Sequence, residues 1–235
     1  MPRPLRLAPG GLVYHVLNRG NARRRIFERN SDFQAFERAL AEAQGRIPMR
    51  ILAWCVMPNH WHLVLWPRLD GDLSRYMQSV TLMHAQRWHA HRASAGTGHL
   101  YQGRFKSFVV QHDAHFFALC RYVEANALRA NLVRRAEEWR WCSLWRACSG
   151  NADQPPPLEP WPVARPGNWL EYVNLPAAPI ETEAVRQCAR RGVPYGEPAW
   201  AQGLAGALGL QCTLRPRGKP RKGPDPLFRS AEKGV

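Results

Sequence analysis

Two apolar, β-prone runs, Met49 to Met57 (MRILAWCVM) and His60 to Pro67 (HWHLVLWP), stand only two residues apart. Pro58-Asn59 between them is turn chemistry, since proline presets φ and asparagine accepts tight-turn conformations. So short a connection joins only antiparallel neighbours, and it predicts a hairpin at the centre of the molecule. The rest of the first 150 residues has to be arranged around that hairpin.

Leu12 to Asn18 (LVYHVLN) reads as a first strand ending at the turn Arg19-Gly20-Asn21. A helix is predicted from Ser31 (SDFQAFERALAEAQGR), with Ser31 and Gln34 as a capping box and Phe33, Phe36, Leu40 and Ala43 on one face. Beyond the hairpin, Leu73, Met77, Val80 and Met83 recur at helical spacing between Asp72 and about Arg92. Arg104 to Gln111 (RFKSFVVQ) reads as a fourth strand, and Asp113 is placed to cap a third helix running to about Leu132. The order β-α-β-β-α-β and then α predicts an α+β fold, a ferredoxin-like or RRM-like split antiparallel sheet. Helices cover one face, the other face is left for a site, and the added helix packs near it.

After Trp139 the composition changes. A short helix near Cys142 to Ala147 gives way to Pro155, Pro156, Pro157, Pro160, Pro162 and Pro166, which reads as a linker. Ile180 to Arg191 and Glu197 to Leu208 are two candidate short helices, and Thr213 to Val235 holds seven Lys or Arg against two acids. The expected organisation is a domain over 1–148, a Pro-rich linker over 149–179, a small helical extension over 180–212 and a basic tail over 213–235.

The formal net charge of +15 points to a polyanionic partner, nucleic acid before an anionic membrane. No apolar run approaches a membrane span and the start MPRPLRLAPGG lacks the apolar stretch of a secretion signal, so a cytoplasmic protein is expected. The six cysteines form no CxxC pair, which argues against a zinc knuckle or redox motif and for reduced, mostly buried thiols.

His60-Trp61-His62 places two imidazoles two apart on a strand, so both project from one face and can share one metal ion, while Trp61, Leu63 and Leu65 face the core. Taken alone, the pair is also compatible with two ordinary polar residues. Tyr122 and Asn126 are four apart, hydroxyl and amide one turn from each other on one helical face. A phenol with a reference pKa of about 10 needs a metal or base to act as a nucleophile, and packing is the other reading of such a tyrosine.

Several long segments occur in a fixed order: HVLNRGNARRRIF from His15, ILAWCVMPNHWHLVLWP from Ile51, YQGRFKSF from Tyr101 and RYVEANALRANLV from Arg121. In these the chain resembles the HUH single-tyrosine transposases, in particular their REP-associated tyrosine branch, strongly over about residues 8 to 148. The resemblance implies a divalent metal, Mg²⁺ or Mn²⁺, held by His60 and His62, with Asn126 as third protein ligand and Tyr122 as nucleophile. It implies nicking and transfer of single-stranded DNA through a 5′-phosphotyrosine, on repetitive hairpins. Where the family commonly has Asn-Pro-Val-Arg, this chain has Asn126-Ala127-Leu128-Arg129, so its third helix is expected to run on. Asparagine there is neutral and short, and its contact with an ion can pass through water.

Arg19, Arg23, Arg24, Arg25, Arg104, Lys106 and Arg129 flank the site in sequence as candidate phosphate contacts, or as solvated surface. Trp54, Trp61, Trp66 and Trp88 are candidates for base stacking, core packing being the alternative. In the tail, Arg217-Gly218-Lys219-Pro220 resembles an AT-hook, an extended basic segment laid in the minor groove; a nonspecific basic tail is the other reading. Competing functions are a noncatalytic nucleic-acid binder on an RRM-like sheet and a metal-dependent phosphoesterase using water. Monomer and homodimer both remain open.

Overall fold

The computed structural model describes residues 8–150 and 154–215. Strands β1 (Val13–Arg19), β2 (Met49–Met57), β3 (His60–Pro67) and β4 (Lys106–Val110) form one sheet in the order β2-β3-β1-β4, every neighbouring pair antiparallel. Helix α1 (Asn30–Arg46) follows β1 and α2 (Asp72–His91) follows the hairpin. The α+β, ferredoxin-like arrangement is therefore the one expected, and both hairpin strands have their predicted ends.

The two-residue alternation of strands divides the side chains cleanly. Tyr14, Val16, Trp54, Val56, Trp61, Leu63 and Leu65 pack with Phe33, Phe36, Leu40, Tyr76, Met77 and Val80 of α1 and α2. The opposite face presents Val13, His15, Leu17 and Arg19 of β1 beside His60, His62 and Val64 of β3. On that face lies α3 (Ala114–Glu124), started by the Asp113 carboxylate, which accepts from the His115 amide at 2.8 Å.

Two local expectations are corrected. Helix α1 begins one residue early, and it is Asp32, not the Ser31–Gln34 pair, that ties down its start. The Asp32 carboxylate accepts from the amides of Glu28 at 2.9 Å and Arg29 at 3.0 Å and from the Arg92 guanidinium at 2.8 Å. The third helix does not run on to Leu132. It breaks at Ala125 (φ −83°, ψ 8°) and leaves a single turn, α4 (Asn126–Arg129). Proline is not needed for the break, because tertiary bonds fix the residues around it: Arg129 donates to the Tyr122 carbonyl at 2.7 Å, and Glu124 is clamped inside the protein.

The chain then wraps the same face. Helix α5 (Ser143–Cys148) brings Ser143, whose hydroxyl reaches Glu124 Oε1 at 2.7 Å, and α6 (Trp169–Asn174) brings Trp169, whose indole N–H donates to Glu124 Oε2 at 2.7 Å. Burial pushes the Glu124 carboxyl up. Along the Pro-rich stretch, Glu159 donates its amide to Ile51 O at 2.9 Å and Trp161 its indole N–H to Leu52 O at 2.9 Å, which lays this segment along β2. Helix α7 (Pro179–Arg191) packs on α3 and β4, and Tyr195 exchanges backbone bonds with Val109 and Gln111. Helices α8 (Pro198–Ala207) and α9 (Gln211–Leu214) follow. Among the described residues no helix is long and apolar enough to cross a membrane. Arg217, Gly218, Lys219 and Pro220 lie outside the described residues.

Candidate active site

The face opposite α1 and α2 is open at one end, in a cavity of about 980 Å³. His60 and His62 reach it from β3, Leu17 and Arg19 from β1, and Tyr122, Asn126 and Arg129 from α3 and α4. Arg23, Arg104, Phe105 and Lys106 close one side. Nine residues singled out in the sequence, His60, His62, Tyr122, Asn126, Arg19, Arg23, Arg104, Lys106 and Arg129, thus line a single space although they span 110 positions of chain.

Each imidazole is oriented through one nitrogen. His60 Nδ1 lies 2.6 Å from Asn59 Oδ1, in the hairpin turn, and His62 Nδ1 lies 2.9 Å from Nε2 of a third histidine, His15. In both rings the Nε2 atom is thereby left for the cavity. The two ring centroids are 5.1 Å apart and nearly perpendicular. The Tyr122 ring stands edge-on to His62 at 5.7 Å, with the Arg129 guanidinium carbon 4.1 Å from its centroid.

Burial lowers His60 to about 4, helped by Arg19 and Arg129, and drives His62 well down, helped by His15 and His60. Both rings are consequently neutral around pH 7, the form that offers a lone pair to a cation. Asn126 is buried and its Nδ2 has no hydrogen-bond partner, so the fold makes no use of that end of the amide. A half-turn about the terminal bond exchanges its oxygen and nitrogen. Two neutral imidazoles and an amide beside open space suit an ion that keeps positions for water or a phosphate oxygen. Among the described residues no group of three or more His, Cys, Asp or Glu is arranged to hold an ion.

Some candidates are not in the cavity. Arg24 lies over Trp88 and donates to the His99 carbonyl at 2.9 Å. Trp54 and Trp61 are fully buried, Trp66 sits under Arg50, and Trp88 donates to the Ile26 carbonyl, so none of the four offers a stacking face to the cavity. Other residues were not singled out. His15 carries a signal, because β1 alternation puts it on the face of Leu17 and Arg19, but only strand register brings it to His62. Arg186 and Arg190 line the cavity from α7, about 60 positions beyond Tyr122, and no local pattern links them to the histidines.

The chain matches the family model described as "Transposase IS200 like" over residues 10–126. It is 23% identical over 139 residues to a "REP-associated tyrosine transposase" of Escherichia coli (strain K12), a match covering 58% of this chain and 78% of that protein. A solved structure described as a REP-associated tyrosine transposase bound to a REP hairpin superposes with a TM-score of 0.52 at 19% identity, covering 71% of this chain and 93% of that one. Family model, relative and fold thus agree: over residues 10–126 the chain matches the IS200-like transposases, and in sequence and fold it is similar to REP-associated tyrosine transposases.

Proposed function

We propose that the protein is a metal-dependent, single-tyrosine DNA endonuclease and strand transferase acting on single-stranded or hairpin DNA of repetitive origin. The observation that carries this reading is the Tyr122 ring edge-on to His62, in the cavity that His60 and Asn126 also line. His60 and His62, through Nε2, and Asn126, directly or through water, would hold Mg²⁺ or Mn²⁺. Such an ion supplies Lewis-acid stabilisation of the charge that develops on the scissile phosphate.

In this reading the Tyr122 oxygen attacks the phosphorus in line. A P–O bond forms to the phenol, the bond to the departing 3′-oxygen breaks, the phenolic proton leaves to solvent and the 3′-oxygen becomes a hydroxyl. A 5′-phosphotyrosine remains. Because a phosphodiester replaces a phosphodiester, a 3′-hydroxyl of another strand can attack it in turn, releasing Tyr122 and joining the strands. Arg129 holds the ring from above and ties the Tyr122 carbonyl, fixing the nucleophile's direction. Arg19, Arg23, Arg104 and Lys106 bind phosphates on one side of the cleavage point, and Arg186 and Arg190 on the other.

Residues 1–148 are the catalytic domain in this reading, the Pro-rich stretch and extension over 149–212 brace it, and the tail with Arg217, Gly218, Lys219 and Pro220 adds a minor-groove contact. In this reading the protein works in the cytoplasm, as a monomer or a homodimer. The test is incubation of the purified protein with labelled hairpin DNA and Mn²⁺, followed by denaturing electrophoresis. Wild type should give a protein-linked DNA band that Tyr122→Phe lacks. Retained DNA binding with no such band would mean a noncatalytic binder, and cleavage without one would mean water as the nucleophile.

A further inference from the structure

Nothing in the proposed chemistry uses His15, although it is fully buried at the site. Its ring is nearly coplanar with that of His62, 5° apart, and Phe108 packs edge-on against it at 4.9 Å. Its Nε2 meets His62 Nδ1 at 2.9 Å, while its own Nδ1 has no hydrogen-bond partner.

A neutral imidazole carries one hydrogen on two nitrogens, so the single hydrogen between these rings fixes both tautomers. If it sits on His15 Nε2, His62 accepts at Nδ1 and must carry its own hydrogen at Nε2, where it cannot give a lone pair to a cation. If it sits on His62 Nδ1, His62 Nε2 is bare, His15 accepts, and the hydrogen of His15 is forced onto Nδ1. The first arrangement leaves a lone pair unpaired in the interior. The second strands an N–H, which is the rarer situation in proteins. The empty site therefore favours the first arrangement and a bound ion requires the second.

Resting on the metal reading above, we infer that His15 is a positioning residue that sets the ligand state of His62: when a cation enters, the two rings exchange tautomer together, and His15 accepts the hydrogen bond that holds the coordinating ring. The hydrogen lost from His62 Nε2 is matched by one gained at His15 Nδ1, so the pair stays neutral with an unchanged proton count. No ligand role falls to His15 itself, since its Nε2 is taken by His62. An ordinary packing histidine would have no reason to change tautomer when an ion arrives.

The experiment uses the full chain without DNA. Mn²⁺ binding is titrated by the electron-spin signal of the free ion for wild type, His15→Phe and His15→Gln, and nitrogen NMR follows the imidazole tautomers of wild type as Mg²⁺ is added. His15→Phe keeps a ring of similar size without an acceptor and should weaken Mn²⁺ binding by ~10-fold or more. His15→Gln, whose amide oxygen can accept from His62 Nδ1, should recover most of that loss. His15 should pass from the Nε2–H to the Nδ1–H form as Mg²⁺ is added. Wild-type affinity in a folded His15→Phe, or a His15 signal that does not move while His62 binds, overturns the inference and leaves the metal reading standing. A wild type that takes up no Mn²⁺ removes both. Should His15→Phe fail to fold, the tautomer measurement on wild type decides alone.

Discussion

The two faces of the sheet both bury histidine, and they treat it in opposite ways. On the α1–α2 face, His84 stacks on Phe27 at 5.1 Å, and its Nδ1 lies 2.6 Å from the Tyr101 hydroxyl, which also receives the Trp61 indole N–H at 3.1 Å. That histidine is buried among aromatic rings with its Nδ1 engaged, on the wall of a smaller pocket of about 280 Å³ that Arg38, Arg87 and Arg92 also line. On the other face, His60 and His62 stand beside open space with His15 buried behind them, and both His15 Nδ1 and Asn126 Nδ2 are left without a partner. Buried polarity by itself thus marks nothing. What distinguishes the face of His60 and His62 is a buried amide nitrogen without a partner on the wall of the cavity itself, and a cavity more than three times the volume of the one beside His84.

This contrast makes separable demands. The largest effect belongs to Tyr122→Phe, which should cut covalent adduct formation by roughly a thousandfold or more, about 4 kcal/mol of barrier, while the melting temperature barely moves. A variant that loses stability together with activity would place Tyr122 with the core face instead. Trp61→Ala reverses the pattern. Emptying a fully buried indole site should remove about 3–5 kcal/mol of stability, read from urea denaturation.

Between these extremes lies acid sensitivity on the core face. Burial raises the Asp32 carboxyl, but the bonds from Arg92, Arg29 and Glu28 outweigh it and hold the group at about 2. A carboxyl depressed in the folded state stabilises above its unfolded pKa, and that contribution fades as pH falls toward the folded value. Asp32 should therefore contribute roughly 2 kcal/mol above pH ~4 and progressively less down to about pH 2. Denaturation of wild type and Asp32→Asn should converge across that window, and a constant gap would show that the charge is not what matters.

The smallest effect tests the far wall of the cleft. Arg186→Ala with Arg190→Ala should weaken single-strand binding by roughly tenfold and lower the salt slope by about one to two, with the stability of the core face untouched. Arg190 already pairs with Glu183, so Arg186 should account for most of the change. An unaltered salt slope would remove α7 from the DNA path.

The core face was the more legible of the two in sequence. Its hairpin has one face of Trp61, Leu63 and Leu65, and its helices repeat apolar residues at the spacing that meets that face, so local periodicity alone places them. His60 and His62 were legible for the same reason, being two apart on one strand. Asp32 took over the capping role expected of Ser31 and Gln34 because Arg92, 60 residues away, secures its carboxylate. The break at Ala125 likewise depends on Ser143 and Trp169, which no window around Tyr122 contains. Arg186 reaches the cavity only because α7 folds back across α3, a long-range packing event with no short-range signature.

The clasp on Glu124 has a consequence for how the tyrosine can be shared. Two residues beyond Tyr122, a carboxyl is fastened to Ser143 and Trp169, and one residue before it Arg121 donates to the Leu175 carbonyl at 2.7 Å. Lending this helix to a neighbouring copy would tear these bonds on both sides of Tyr122, at about 1–3 kcal/mol for each polar group left stranded. In the proposed reaction a chain so fastened would keep its own tyrosine beside its own histidines, and exchange of strands would fall to the DNA rather than to the protein.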